Sequence, residues 1–195
     1  MLILKKPTFT EFMVKNSRFI AEAFPVSSPE EAKELWHAQK QRHANGGHIV
    51  YAFITGPQGN IMGCSDDGEP SGTAGQPMLA VLKGSNLTNV IITAARWFGG
   101  TKLGTGGLVR AYSDCAKAAL EHAECTELVT EESFSISFNY NLYDRIKRLL
   151  GESGFEITAE NFADKITLTG KIRKENAASL RKNLLDIAGG NLLIY

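Results

Sequence analysis

Residues 133–195 read SFSISFNYNLYDRIKRLLGESGFEITAENFADKITLTGKIRKENAASLRKNLLDIAGGNLLIY, and their hydrophobic period switches repeatedly between that of a strand and that of a helix. In Ser133–Asn139, Phe134, Ile136 and Phe138 alternate with polar residues, the pattern of a strand with one buried face. Tyr143–Glu152 puts Ile146, Leu149 and Leu150 on one stripe and predicts a helix stopped near Gly154. Phe155–Asn161 and Lys165–Lys171 read as two strands joined as a hairpin at Phe162-Ala163-Asp164. Lys174–Ala188 turns Ala177, Leu180, Leu184 and Ile187 inward as a helix, Gly189-Gly190 ends it, and Asn191–Tyr195 is a last strand. The order β-α-β-β-α-β predicts a ferredoxin-like domain over residues 131–195 and an α+β protein. Residues 1–130 then form a domain of their own.

Upstream, Thr8–Val14 and Arg18–Val26 read as a hairpin joined at Lys15–Ser17. Ser28 is an N-cap, with Pro29 at the first helical position and Glu30 and Glu31 in the first turn. That helix runs to about His43, with Ala32, Leu35, Trp36 and Gln39 on one face, and Asn45-Gly46-Gly47 ends it. Ile49–Thr55 reads as a strand and Gly56–Asn60 as a turn. A polar, breaker-rich stretch at residues 64–77 precedes a short helix, Ala74–Lys83. Asn89–Ala95, NVIITAA, is an apolar run that fits a buried strand. From Leu108 the pattern is helical, with Leu108, Tyr112, Cys115 and Ala119 on one stripe. Residues 127–130 read as a closing strand or a linker.

The formal net charge is zero, and it is zero in both parts: residues 1–130 carry 12 basic and 12 acidic side chains, residues 131–195 carry 9 and 9. Neither part has the basic excess of a non-specific nucleic-acid binder, which leaves only a local basic patch for such a role. No apolar run is long enough to span a bilayer, and MLILKKPTFTEF lacks the order of a secretory signal, so a cytoplasmic protein without membrane contact is expected. Cys64, Cys115 and Cys125 match no metal or redox spacing and are expected as reduced thiols. His37, His43 and His48 would need to converge with a fourth ligand such as Cys64 to hold zinc; they straddle a helix end and a loop, and neither metal nor cofactor is expected.

Two segments carry the chemistry. In RWFGGTKLGTGGLVR (96–110), Gly99, Gly100, Gly104, Gly106 and Gly107 cluster between a buried strand and a long helix. Amides at a helix start favour an anion, and Arg96, Lys102 and Arg110 supply charge nearby, so a phosphate is one candidate occupant. Tight packing of helix on sheet is the other explanation of the glycines. The spacing does not match the ATPase phosphate loop. In SDDGEPSGTAG (65–75), Asp66, Asp67 and Glu69 sit within four residues, with Ser71 and Thr73 behind them. Such carboxylates hold a metal or act as acid and base. Alternatively they pair with Arg96, Lys102 or Arg110 while Ser71 or Thr73 caps the following helix.

These residues resemble the Impact/YigZ family, through SRFIA (17–21), SDDGEPSGTAGQP (65–77), LTNVII (87–92) and RWFGGTKLGTGGLVRAYS (96–113). The tail from 131 resembles the C-terminal domain of bacterial members. Ala95 and Trp97 depart from the Thr and Tyr common at those places. The resemblance implies an N-terminal domain similar to domain IV of elongation factor G and to the second domain of a small-subunit ribosomal protein, and a C-terminal domain similar to domain V. It also implies a role tied to translation. Eukaryotic relatives restrain a starvation-responsive kinase partly through an additional N-terminal domain; the resemblance begins near the start of this sequence, so that role is not expected to transfer. The expected function is that of a non-enzymatic, translation-associated regulator binding RNA or the ribosome through Arg96, Gly99, Gly100, Lys102, Gly104, Gly106, Gly107 and Arg110, with a protein partner in translation as a further expectation. The alternatives are a metal- or phosphate-ligand-dependent small-molecule hydrolase, with Asp66, Asp67 and Glu69 holding a metal opposite the glycine loop, and a protein-interaction module using the C-terminal sheet.

Overall fold

The computed structural model describes residues 1–195, which divide into two compact units, Met1–Leu128 and Val129–Tyr195. The first contains β1 (Leu2–Leu4), β2 (Thr8–Val14), β3 (Ser17–Pro25), α1 (Pro29–Arg42), β4 (His48–Thr55), β5 (Ile61–Ser65), α2 (Gly75–Gly84), β6 (Val90–Trp97), α3 (Gly104–Glu121) and β7 (Cys125–Glu127). Its main sheet is antiparallel in the order β2-β3-β6-β4-β5, and β1 pairs with β7 in a separate ribbon.

Strand β6 is central and covered on both faces. Ile92 and Ala94 pack with Phe19, Val50, Met78, Leu82, Tyr112 and Cys115 under α2 and α3. Ile91 packs on the other side with Val26, Ala32 and Phe53, against Leu35 and Trp36 of α1. A central strand buried on both faces has no polar side to alternate, which is why residues 90–95 are nearly all apolar.

Local chemistry sets the element ends. Ser28 caps α1, its Oγ accepting from the Glu31 amide at 3.2 Å, while the Glu31 carboxylate accepts from the amide of Ser27 at 2.6 Å. The β2–β3 hairpin closes through Lys15 and Asn16, both at positive φ (45° and 69°), the geometry whose twist suits a two-residue hairpin. Strand β5 is not anticipated by the sequence: Gly63 interrupts its pattern, because the ring of Phe53 occupies the space a side chain there would need. Strand β1 is likewise unanticipated, and its partner β7 begins two residues ahead of the expected segment. Helix α3 starts at Gly104 rather than Leu108: its exposed, glycine-rich first turn carries no hydrophobic period, and it propagates back from the turns that are buried from Leu108 onward.

The second unit contains β8 (Glu131–Phe138), α4 (Tyr143–Ser153), β9 (Glu156–Phe162), β10 (Ile166–Arg173), α5 (Lys174–Ala188) and β11 (Leu192–Ile194). Its sheet runs β11-β8-β10-β9 with every pairing antiparallel. Phe134, Ile136, Phe138 and Leu168 face Ile146 and Leu150 of α4 and Leu180 and Leu184 of α5. Gly154, at φ 75°, ends α4 by returning its amide to the carbonyls of Gly151 and Leu150. No helix of the chain is long and apolar enough to cross a membrane.

Candidate anion site at the start of helix α3

The acidic loop is consumed by the fold. Asp66 accepts from the amides of Gly72 (2.8 Å), Ala74 (3.0 Å) and Gly75 (2.8 Å), so it satisfies the start of α2 from nine residues upstream. This corrects the expectation that Ser71 or Thr73 caps that helix: Ser71 is exposed, and the Thr73 hydroxyl donates to the Pro70 carbonyl at 2.6 Å. Asp67 pairs with Lys40 at 2.6 Å and accepts from the Ile49 amide at 2.7 Å. Its carbonyl lies 2.7 Å from Nδ1 of His48. His43 instead faces Glu22, at 3.2 Å.

Glu69 is the buried member. One of its oxygens accepts from Nη1 of Arg96 at 2.7 Å and from the hydroxyl of Tyr112 at 2.8 Å. The side chains of Glu69 and Arg96 are 3% and 8% exposed, so water does not compete for this pair. Burial, with the Glu69 carboxylate next to it, pushes the Tyr112 phenol far up and keeps it a donor. Nη2 of Arg96 donates to Ser17 Oγ at 3.3 Å, and its Nε is buried with no acceptor. Of the expected acidic partners, Glu69 meets Arg96; Lys102 and Arg110 meet none of them. Arg110 is 88% exposed, with Asp114 one turn on at 3.9 Å.

Above this network lies a cleft of about 380 Å³, lined by Glu69, Pro70, Arg96, Phe98, Lys102 and Leu103, and by Gly104, Thr105 and Leu108 of α3. The glycines divide by cause. Gly99 is structural: a β-carbon there would overlap the backbone carbonyl of Asn16 in the β2–β3 turn. Gly100 and Gly104 take positive φ, 86° and 74°. Gly106 has ordinary helical geometry and nothing within 4 Å of where a side chain would begin, so packing does not require a glycine there. Gly107 sits against Leu103. No side chain caps α3, no acidic residue stands in its first turn, and no carbonyl from the surrounding loops reaches the amides of residues 100–106. The positive end of an 18-residue helix is therefore open, with exposed Lys102 at the cleft wall.

The structure brings Arg96, Lys102 and Gly104 into one cleft, with Gly106 on the adjoining turn, and leaves Arg110 outside the lining. Sequence reasoning passed over Phe98, Pro70 and Thr105, which line the cleft, and Ser17 and Tyr112, which hold its floor. Phe98 carried a signal: it is an aromatic residue beyond a buried strand and before two glycines, where the core has no use for it.

Residues 15–120 match the family model of the Impact N-terminal domain, and residues 136–191 match that of a domain of unknown function, DUF1949. An IMPACT family member of Haemophilus influenzae is 34% identical over 99% of this chain and 95% of its own. The IMPACT family members YvyE of Bacillus subtilis and YigZ of Escherichia coli are 32% and 31% identical, covering 92% and 98% of this chain and 83% and 95% of theirs. A solved crystal structure described as an hypothetical protein superposes with a TM-score of 0.71 at 30% identity, covering 99% of this chain and 95% of that one. With the N-terminal family model spanning residues 15–120 and relatives similar from end to end, the chain belongs to the Impact family.

Proposed function

We propose that the chain is a non-enzymatic binder of RNA or the ribosome in translation, seating a backbone phosphate at the first turn of α3. The observation that carries this reading is the uncapped start of α3 beside Lys102. Main-chain amides and one lysine favour a phosphate without requiring a basic protein, which suits a chain of zero net charge. Arg110 lies four residues beyond Gly106 on the same helix face and extends the track for a neighbouring phosphate. The hydrolase alternative is disfavoured, because Asp66, Asp67 and Glu69 are each engaged inside the protein.

The wider likeness supports the same role. The order β-α-β-β-α-β and the sheet order β11-β8-β10-β9 fit a ferredoxin-like domain akin to domain V of elongation factor G. On that reading the first unit corresponds to domain IV. Co-sedimentation with ribosomes tests the proposal. Binding is expected at low salt, and Lys102→Ala should weaken it and lower the slope against salt by about one counterion. Absence of co-sedimentation at low salt, or a Lys102→Ala variant with unchanged salt dependence, counts against it.

A further inference from the structure

We propose that the cleft receives one unstacked nucleotide of a single-stranded RNA, with its base against Phe98 and its phosphate at the first turn of α3; this rests on the RNA-binding reading above. Phe98 is 59% exposed, although it directly follows a strand whose residues are nearly all buried. Its ring forms no pair with another aromatic ring; the guanidinium of Arg96 lies 5.7 Å from its centre. Pro70, Leu103 and Leu108 make the other apolar surfaces of the cleft. Its volume of about 380 Å³ is at the small end of ligand sites, suited to a single unit rather than a helix groove.

Two independent features point to the charged part of the ligand. One is the open first turn of α3 with Lys102 beside it. The other is Arg96, which lines the cleft: Glu69 and Ser17 hold its Nη1 and Nη2, and only its buried Nε is left without an acceptor. An aromatic face next to an amide nest is the arrangement that takes a base and its phosphate together. A base is available for this only where it is not stacked and paired, which selects single strands over duplex. The neutral charge of the chain points the same way: without a broad basic surface, affinity has to come from stacking and one or two phosphates.

Fluorescence anisotropy with the full chain and a labelled ten-residue oligoadenylate tests this, with the same strand annealed to its complement as the comparison. Three variants are informative, and circular dichroism checks their folding. Phe98→Ala removes an exposed ring. Phe98→Trp keeps a stacking face. Gly106→Glu places an acid where nothing obstructs it, at a helix start that an acid stabilises, so it opposes phosphate without harming the fold. The expected result is binding of the single strand over the duplex, weakened about 5-fold to 100-fold by Phe98→Ala, kept by Phe98→Trp and lost in Gly106→Glu. If Gly106→Glu abolishes binding while Phe98→Ala binds like the parent, or if duplex binds as tightly as the single strand, the phosphate seat stands and the stacked base is refuted. If neither RNA binds and ribosomes do not co-sediment, both readings fall together.

Discussion

Replacing Glu69 by Gln leaves every atom of the floor network nearly in place and removes only its negative charge. Arg96 then carries a buried charge whose nearest groups are neutral: an amide, the Ser17 hydroxyl at 3.3 Å and the ring of Phe19. With the pair's side chains 3% and 8% exposed, water cannot replace the lost carboxylate without opening the fold. Removing one partner of such a pair costs about 3–5 kcal/mol, and the amide's remaining hydrogen bonds put Gln at the lower end, about 3 kcal/mol. For a unit of this size that lowers Tm by about 10 °C. Both tryptophans, Trp36 and Trp97, lie in the first unit, so their fluorescence during thermal unfolding reports on that unit. The triple variant Glu69→Leu, Arg96→Met, Tyr112→Phe should regain most of the loss, because apolar replacement of a complete buried network is often neutral. A Glu69→Gln protein melting within about 2 °C of the parent would refute the view that this charge is needed where it sits.

Gly99→Ala should destabilise the first unit by more than about 2 kcal/mol, since the Asn16 carbonyl occupies the space for a side chain, and a urea titration of tryptophan fluorescence measures it. Asp66→Ala frees two amides at the head of α2 and that of Gly72 in the turn before it, and should cost about 2 kcal/mol, with faster hydrogen exchange at Ala74 and Gly75. Burial raises the Tyr112 phenol and the Cys115 thiol above their unfolded values, so the folded state holds protons the unfolded state releases. Stability is then complete below about pH 8 and declines as the pH rises through the unfolded thiol and then the unfolded phenol range, and Tyr112→Phe should flatten that decline in urea titrations between about pH 9 and 11. In the second unit, Gly170→Ala drives a methyl group into the Glu156 carbonyl and the Phe155 ring, and amide exchange across β9 and β10 should rise.

The elements legible in the sequence are those with strong periodicity. Helix α5 spans the residues its pattern indicates, and α1 shows its cap, its proline and its buried face. Strands β1 and β5 were not legible, because three residues at the start of a chain and a strand broken by Gly63 carry too short a pattern for any period to emerge. At the site, the glycine cluster and Arg96 stood out by composition. Their division of labour did not: that Gly99 serves contact with Asn16 and Gly106 serves no contact depends on distances between segments far apart in the chain. The ion pair between Glu69 and Arg96 was among the expected partners, whereas the cap on α2 came from Asp66, because a carboxylate held by the preceding strand reaches three amides that a hydroxyl beside them cannot.

The contact between Gly99 and Asn16 fastens one end of the loop that leads into α3, and the Arg96 network fastens the strand beneath it. A segment clamped at both its root and its floor has little room to rearrange when a guest arrives. On the proposed reading, binding at this place should therefore proceed in a single kinetic step, with an on-rate governed by encounter rather than by closure of a flap.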